Sequence, residues 1–274
     1  MSRRKLVLPY LLWALLFIIV PILLIIYYSL CVETDSGLVF SLQNYSRVFQ
    51  PIYLRIMWRS VALAFMCTLF CLVMGYPVAY IMASKEYARK GFLLFLFLVP
   101  MWMNFLLRTY SWLTILERNG IINSVLSVFG LPNIDLLYNE EAVILGMIYN
   151  FLPFMILPIY TVLKKMDQSV IEAAQDLGAD SRTVFLRVTV PLSMPGVISG
   201  VTMVFMPAVT TFIVSDLLGG AQFMLIGNLI EQQFLKIRDW NFGSAVSVIL
   251  MTLIIASVAI FSMVDKDSEG GALF

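Results

Sequence analysis

Histidine is absent from the 274-residue sequence, and cysteine is scarce. Without histidine the chain has no Ser-His-Asp triad, no HExxH zinc site and no histidine proton relay. Its cysteines, Cys31, Cys67 and Cys71, lie in apolar surroundings and are too few for a disulfide scaffold or a zinc cluster. We therefore expect no metal site and no catalytic chemistry, and we expect Cys67 and Cys71 to be packing residues.

Charged residues are scarce as well. They make up 13% of the chain, against 61% hydrophobic residues, and the mean hydropathy is +0.91. A soluble domain is about a quarter charged and about half apolar, so too few charges remain here to cover one. The net charge of +1 also provides no strongly basic face of the kind that binds nucleic acids. The composition therefore predicts a membrane protein with no nucleic-acid partner.

A phosphate-binding loop is missing too. No GxxxxGK[ST] segment occurs, which is the glycine-rich loop that holds nucleotide phosphates in P-loop proteins. We therefore expect no cofactor in this chain, and any energy source must be bound elsewhere.

Six apolar stretches are long enough to cross a membrane, since a hydrocarbon core of about 30 Å requires about 20 helical residues. They are approximately residues 6–30, 61–83, 91–107, 142–163, 197–214 and 243–264. The first follows three basic residues, as in a signal peptide, but it is too long and no small-residue cleavage site follows it. We predict an all-α membrane protein with six transmembrane helices, forming a single domain over residues 1–274.

The distribution of basic residues predicts the orientation. Of the 18 Lys and Arg, 11 fall on the same side as the N-terminus and 7 on the other side, and the short loop 84–90 is the most basic. Positive charge in short loops marks the cytoplasmic side. Both termini are therefore predicted to be cytoplasmic.

Prolines interrupt most of the predicted spans. Pro153 and Pro158 lie in the fourth span beside Tyr149 and Asn150. A proline removes a backbone donor, and in a membrane the freed carbonyl needs another partner or a water-lined cavity. This pair predicts a broken helix that lines a pathway, with simple kinking as the alternative.

The longest cytoplasmic loop, approximately residues 164–196, has the pattern of two helices separated by a glycine turn. Ser169 and Glu172 have the spacing of a capping box, Gly178 can take the left-handed conformation that ends a helix, and Asp180 can cap the next one. Small side chains between the caps would let a partner's groove approach closely. The loop predicts a docking helix, and the alternative is a solvated loop that folds against its own chain.

This loop resembles the EAA loop of ABC-importer permeases. Glu172-Ala173-Ala174, then Gly178, then the run 188–191 that ends in Pro191 follow the order and spacing of that motif, with valines where the family usually has Ile and Leu. The resemblance implies a type I ABC-importer permease fold with a cytoplasmic coupling helix, which sits in a cleft of a separate ATPase subunit. It assigns the coupling to the following residues: Glu172, Ala173, Ala174, Gly178 and Asp180.

Further stretches resemble permease subunits of spermidine/putrescine importers. They are residues 75–80, 99–104, 107–110, 152–155, 158–160, 214–221, 225–228 and 237–243, and the resemblance covers about residues 6–264. It implies a non-catalytic, multi-pass subunit of the bacterial inner membrane that takes up polyamines. The implied partners are a homologous second permease, an ATPase dimer that binds ATP and Mg²⁺, a periplasmic or lipid-anchored polyamine-binding protein, and membrane lipid.

A pathway for polyamines, which are long cations, should contain carboxylates and aromatic faces. Asp216 is the carboxylate nearest to membrane depth and Glu231 is the second candidate, with a helix cap and a solvated helix face as the respective alternatives. The candidate aromatic residues also fit an ordinary interfacial belt. They are Trp102, Tyr110, Trp112 and Tyr149.

Arg108, near the outer end of the third span, would repel a polyamine, so we expect it to snorkel or to pair with an acid. Two other functions stay open at this point. One is a permease for another cargo, such as ferric iron, thiamine or an opine-type compound. The other is a stand-alone channel or membrane scaffold without an ATPase.

Overall fold

Long apolar helices dominate the structure, a computed structural model that describes residues 3–34, 37–84, 92–220 and 222–270. Within these residues five helices are long and apolar enough to cross a membrane: Pro9–Ser29, Pro51–Ala83, Glu140–Lys165, Ser181–Thr210 and Trp240–Met263. They correspond to every predicted span except the third. The prediction of an all-α membrane protein is confirmed.

The helices are numbered here in chain order. They are α1 (Arg3–Ala14), α2 (Val20–Ser29), α3 (Gln43–Val48), α4 (Pro51–Ala83), α5 (Phe92–Leu98), α6 (Phe105–Leu116), α7 (Ile121–Val128), α8 (Glu140–Lys165), α9 (Gln168–Asp176), α10 (Ser181–Val184), α11 (Val190–Thr210), α12 (Ile213–Leu218), α13 (Ile226–Glu231) and α14 (Trp240–Gly270). A two-stranded antiparallel hairpin, β1 (Cys31–Thr34) with β2 (Gly37–Phe40), pairs Cys31 with Phe40.

The predicted third span is divided in two. Helix α5 passes into a 3₁₀ turn at Val99–Trp102, and α6 begins only after Met103 and Asn104, which are extended. The Asn104 side chain accepts a hydrogen bond of 2.8 Å from the backbone N–H of Leu106, so it caps α6. The third apolar stretch is therefore not one continuous helix in the structure.

The predicted cytoplasmic loop is shorter than expected, because the fifth span begins earlier. Helix α10, a π-helical turn at Phe185–Thr189 and α11 form one continuous helix. Within the π turn the N–H of Val190 donates to the carbonyl of Phe185, five residues back. This longer turn directly precedes Pro191, which has no N–H to donate. The helix ends at Thr210, four residues before the predicted end.

Pro21 follows the same kind of turn in the first span. There the N–H of Val20 donates to the carbonyl of Leu15 through the π turn Leu15–Ile19, and α1 and α2 run on as one helix. Helix α8 also runs unbroken through Pro153 and Pro158. The predicted break in the fourth span is therefore wrong.

The residues that dominate the predicted orientation, Lys85, Arg89 and Lys90, lie outside the described residues. The chain groups into two compact units, Met1–Arg59 with Leu225–Ile255, and Ser60–Met224 with Ala256–Phe274. The single-domain assignment stays a prediction.

The core of the Ser60–Met224 unit is the close packing of α8 against α11. An added Cβ at Gly196 would lie 3.0 Å from the carbonyl oxygen of Pro158, and one at Gly200 would lie 3.1 Å from that of Met155. Gly196 and Gly200 therefore form a small-xxx-small contact, which lets membrane helices approach backbone to backbone. This contact lies along the part of α8 that contains Pro153 and Pro158.

Candidate coupling helix and candidate cargo pathway

The short helix α9 is defined by a cap at each end. At its N-terminus the Asp167 carboxylate accepts a hydrogen bond of 3.0 Å from the backbone N–H of Ser169. The predicted capping box with Ser169 as N-cap is therefore wrong, because α9 already begins at Gln168 and Ser169 lies inside its first turn. Asp180 caps α10 by accepting from the N–H of Thr183 at 3.3 Å, as predicted.

The two caps favour ionised carboxyl groups. Hydrogen bonds from the backbone N–H and the hydroxyl of Ser169 hold the pKa of Asp167 below its usual range. Hydrogen bonds from the hydroxyl and backbone N–H of Thr183 do the same for the pKa of Asp180. The caps are therefore present at neutral pH and are lost only as the pH falls through these lowered pKa values.

The C-terminus of α9 is a Schellman turn. Gly178 has φ +85°, its N–H donates to the carbonyl of Gln175 at 2.9 Å, and the N–H of Ala179 donates to that of Ala174 at 3.1 Å. This pairing satisfies the last helical carbonyls and needs a left-handed residue at Gly178. The predicted glycine turn is confirmed.

No residue of α9 is buried. Glu172 and Ala173 are exposed, Ala174 is half-buried, and Leu177 just beyond the helix is 90% exposed. A helix that folded against its own protein would bury an apolar stripe. The exposed small and apolar side chains fit docking to another protein better than the alternative of a self-packed loop.

The segments that flank α9 lie next to the ends of the long helices α4, α8 and α11. A cavity of about 210 Å³ opens between them and is lined by Tyr80, Leu163, Met166, Ile171 and Thr189, among others. Nearby, the rings of Tyr76 and Tyr80 both contact Phe185 edge-on, at centroid distances of 5.9 and 5.2 Å. These contacts join the chain after α9 to α4.

Asp216 lies on α12, beyond the break that follows α11. It is half-buried in the first turn of α12, whereas the N-cap position is occupied by Phe212. Asp216 is therefore not the N-cap residue, although a carboxylate in the first turn also stabilises a helix N-terminus, and its pathway role stays a prediction. Gly146 of α8 positions this helix, because an added Cβ there would meet the side chains of Val214 and Leu218.

The candidate aromatic residues lie on neighbouring elements of the same unit. Tyr149 of α8 contacts Trp112 of α6 edge-to-face, with ring centroids 5.3 Å apart. Helices α6, α8 and α12 pack against one another, so Tyr110, Tyr149 and Asp216 belong to one helix cluster. Trp102, in the 3₁₀ turn before α6, is exposed and contacts Phe95 at 5.8 Å.

Glu231 ends α13 in the other unit. Its carboxylate lies 3.9 Å from Nζ of Lys236, and its side chain is 21% exposed. It is thus half-buried and paired with a cation, which weakens the case for a solvated helix face without establishing a pathway role.

Two buried polar groups stand out that the sequence did not single out as site residues. Asn150, in α8, is fully buried, and its Nδ2 donates to the carbonyl of Gly146 at 2.9 Å, while its Oδ1 has no hydrogen-bond partner in the described part of the chain. Arg108 is 7% exposed, and its guanidinium lies 5.8 Å from the ring centroid of Phe105, while its Nε has no hydrogen-bond partner among the residues that the structure describes. The prediction was that Arg108 snorkels or pairs with an acid. Its burial contradicts snorkelling, and among the described residues it forms no ion pair.

Comparison with known proteins adds a family. The family model described as binding-protein-dependent transport system inner membrane component matches residues 75–267. The chain is 42% identical over 243 residues to the spermidine/putrescine transport system permease protein PotB of Escherichia coli, covering 87% of this chain and 88% of that one. It is 39% identical over 259 residues to the protein of the same name from Haemophilus influenzae, covering 93% and 91%.

Among solved structures, the chain resembles one from a bacterial ABC transporter involved in the import of the acidic polysaccharide alginate. The TM-score is 0.81 with 17% sequence identity, and 96% of this chain and 94% of that chain are covered. At this identity the likeness establishes a shared fold.

Proposed function

The chain belongs to the family of binding-protein-dependent transport system inner membrane components, and from that premise we propose that its cargo is a polyamine. It is a permease subunit of an ABC importer in the inner membrane and not an enzyme. The proposal concerns what passes through it and how it is assembled and oriented.

The observation that carries the cargo proposal is identity of 39–42% to spermidine/putrescine permeases over most of the chain. The fold by itself does not select a cargo, since a protein of the same fold belongs to an importer of an acidic polysaccharide. The helix cluster of α6, α8 and α12 adds chemical support. It combines the half-buried carboxylate of Asp216 with the aromatic pair Trp112 and Tyr149, and both groups attract ammonium ions.

The proposed assembly contains a homologous second permease, two copies of an ATPase subunit that bind ATP and Mg²⁺, and a periplasmic or lipid-anchored polyamine-binding protein. The exposed α9 is the proposed ATPase contact, with Glu172, Ala173, Ala174, Gly178 and Asp180 as its coupling residues. Asp216, Glu231, Trp102, Tyr110 and Tyr149 are the proposed contributions to the pathway.

Uptake by the reconstituted complex tests the cargo. Proteoliposomes that contain both permeases and the ATPase, supplied with binding protein and ATP, should accumulate radiolabelled putrescine or spermidine and show cargo-dependent ATPase activity. If ferric iron, thiamine or an opine stimulates the ATPase and polyamines do not, the stimulating compound is the cargo and the polyamine proposal is wrong. A chain that never retains an ATPase subunit would instead be a channel or scaffold.

The proposed orientation places both termini in the cytoplasm and is tested by labelling. Ser84 and Asn133 are both exposed, and the native Cys31, Cys67 and Cys71 are buried, so introduced cysteines should label against a low background. We expect Ser84→Cys to react only with reagents that reach the cytoplasm, and Asn133→Cys only from outside. Labelling of both from one side, or the reverse pattern, would contradict the topology.

A further inference from the structure

Two adjoining cavities lie where the hairpin meets the start of α14, within the Met1–Arg59 and Leu225–Ile255 unit. The first, of about 350 Å³, is lined by Tyr28, Glu33, Leu38, Trp240 and Asn241. We call it the Glu33 pocket. The second, of about 230 Å³, shares Glu33, Trp240 and Asn241 with the first and adds residues of α3 and Asp239. We call it the Arg47 pocket, after the cation that lines it.

Hydrogen bonds connect the residues that separate these two cavities. The Nδ2 atoms of Asn44 and Asn241 both donate to the carbonyl of Cys31, at 2.8 and 2.7 Å. Asn241 uses one of its two amide N–H bonds in this contact, and its Oδ1 can act only as an acceptor. The end of the first span and the start of the last are thereby joined at an acceptor-rich surface.

The two carboxylates of these cavities differ in their partners. Asp239 is fully engaged: one oxygen accepts from Arg47 at 2.8 Å and the other from the N–H of Phe242 at 3.0 Å. Arg47 also lies over the ring of Phe242, 4.0 Å from its centroid. Among the described residues, Glu33 makes no ion pair and no side-chain hydrogen bond. Its negative charge is therefore available to a ligand.

The chemistry of the Glu33 pocket is that of an ammonium site. A carboxylate and an amide oxygen supply acceptors, the rings of Trp240 and Tyr28 supply aromatic faces, and Leu38 supplies an apolar wall for methylene groups. Among the described residues that line it there is no cationic one. In the Arg47 pocket, by contrast, the guanidinium would repel an ammonium, so the two cavities are not equivalent.

We propose that the Glu33 pocket binds a primary alkylammonium group and, in the working importer, the end of the polyamine cargo. This second clause rests on the proposed function. In the proposed orientation the pocket lies on the outer side, where the first span ends and the last begins, and where cargo arrives. The pocket then holds a terminal ammonium before the cargo enters the helices.

Calorimetric titration of the full-length chain in lipid nanodiscs tests the pocket directly. The probes are n-butylammonium, putrescine and 1,4-butanediol, a neutral molecule of similar size. We expect both amines to bind and the diol not to bind. Glu33→Gln should weaken amine binding about fivefold, the change that loss of a surface ion pair supports. Trp240→Leu should weaken it about as much, and Trp240→Phe less, because it keeps an aromatic face.

Glu117→Gln is the matched control. Glu117 is an exposed carboxylate on a cavity of about 380 Å³ whose lining contains no aromatic residue. Glu117→Gln makes the same chemical change as Glu33→Gln and should leave amine binding unchanged. Equal binding of the diol, or unchanged amine affinity in Glu33→Gln, would overturn the proposal. So would a result in which Glu33→Gln weakens only docking of the binding protein, since the occupant would then be a lysine side chain.

These outcomes separate the pocket from the function proposed above. If amine binding depends on Glu33 but the importer transports another cargo, the polyamine proposal is wrong and the ammonium pocket is supported. If the complex takes up putrescine but amine binding by this chain does not depend on Glu33, the proposed pocket is wrong and the proposed cargo is supported.

Discussion

Replacing Gly178 with valine is expected to abolish cargo uptake while the permease still inserts into the membrane. Gly178 has φ +85° at the turn that ends α9, a conformation that a β-branched residue strongly disfavours. The strain costs about 1–3 kcal/mol, and each 1.4 kcal/mol corresponds to about a tenfold change in population. The population of the turn conformation that orients α9 would therefore fall by about five- to one-hundred-fold.

The effect should come from the backbone and not from bulk. No atom lies within 4 Å of a Cβ added at Gly178, so the valine side chain meets open space. Gly178→Asn is the discriminating control, since asparagine tolerates the left-handed conformation and also ends helices. We expect Gly178→Asn to retain most of the uptake.

The chain offers a second control in Gly130, which follows α7 in a predicted outer loop. Gly130 has φ +71° and open space at its Cβ, and the bonds Gly130 to Ser127 and Leu131 to Leu126 repeat the Schellman pattern. Gly130→Val therefore introduces the same strain in a loop that is predicted to lie on the opposite side of the membrane. Uptake and ATPase co-purification measured for all three variants should single out Gly178→Val. Normal transport by that variant would contradict the docking role of α9.

Helix α9 and its C-terminal turn were predictable because their determinants are local. Asp180, Gly178 and the small residues before it act within one or two turns, so their spacing along the chain carries the information. At the N-terminus of α9 the sequence predicted Ser169 as the N-cap, whereas the N-cap in the structure is Asp167. Both residue types can cap a helix, and they lie only two positions apart. Helix ends are the least certain part of any pattern of this kind.

The spans were predictable from hydropathy, whereas their continuity was not. Hydropathy records that residues 91–107 are apolar but does not record whether Pro100 and Asn104 will interrupt the helix. In α8, two prolines leave the helix intact, and α11 packs closely against the same part of it at Gly196 and Gly200. That neighbour is distant in sequence, so hydropathy does not record it.

The grouping of the candidate pathway residues was the least predictable feature, since it depends on which helices pack against one another. Tyr149 contacts Trp112 only because α8 packs against α6. The orphan Oδ1 of Asn150 could have been suspected from a lone amide in an apolar run, but its burial follows from tertiary packing. The Glu33 pocket likewise joins residues about 200 positions apart, which no local pattern connects.

Asp216→Asn is expected to reduce polyamine transport strongly without affecting assembly. Asp216 is half-buried on α12, in the cluster that also contains Tyr149 and Tyr110. Asparagine keeps the size and most hydrogen bonding of aspartate, so the substitution removes mainly the charge. Loss of one partner of a buried charge pair costs about 2–5 kcal/mol. We therefore expect transport to fall at least about tenfold, as cargo loses a favourable interaction in a partly desolvated pathway.

A structural role for Asp216 predicts a different result. Asp216 lies in the first turn of α12, after the N-cap Phe212, where a carboxylate stabilises the helix end, so a structural role predicts a loss of thermal stability in Asp216→Asn. Asp135→Asn is the matched control: Asp135 is 83% exposed, lies 3.9 Å from Arg118, and should be dispensable because exposed pairs contribute little.

The measurements for both variants are uptake rate, amount in the membrane, thermal stability and retention of the ATPase subunits. A fall in uptake confined to Asp216→Asn, with the other three quantities normal, assigns the charge to the pathway. A parallel loss of stability would make Asp216 a structural residue. Uptake at the unmutated rate would remove it from the pathway, and negative charge would then have to come from Glu231 or from the partner permease, because a cation crossing the apolar interior needs a counter-charge close to its path.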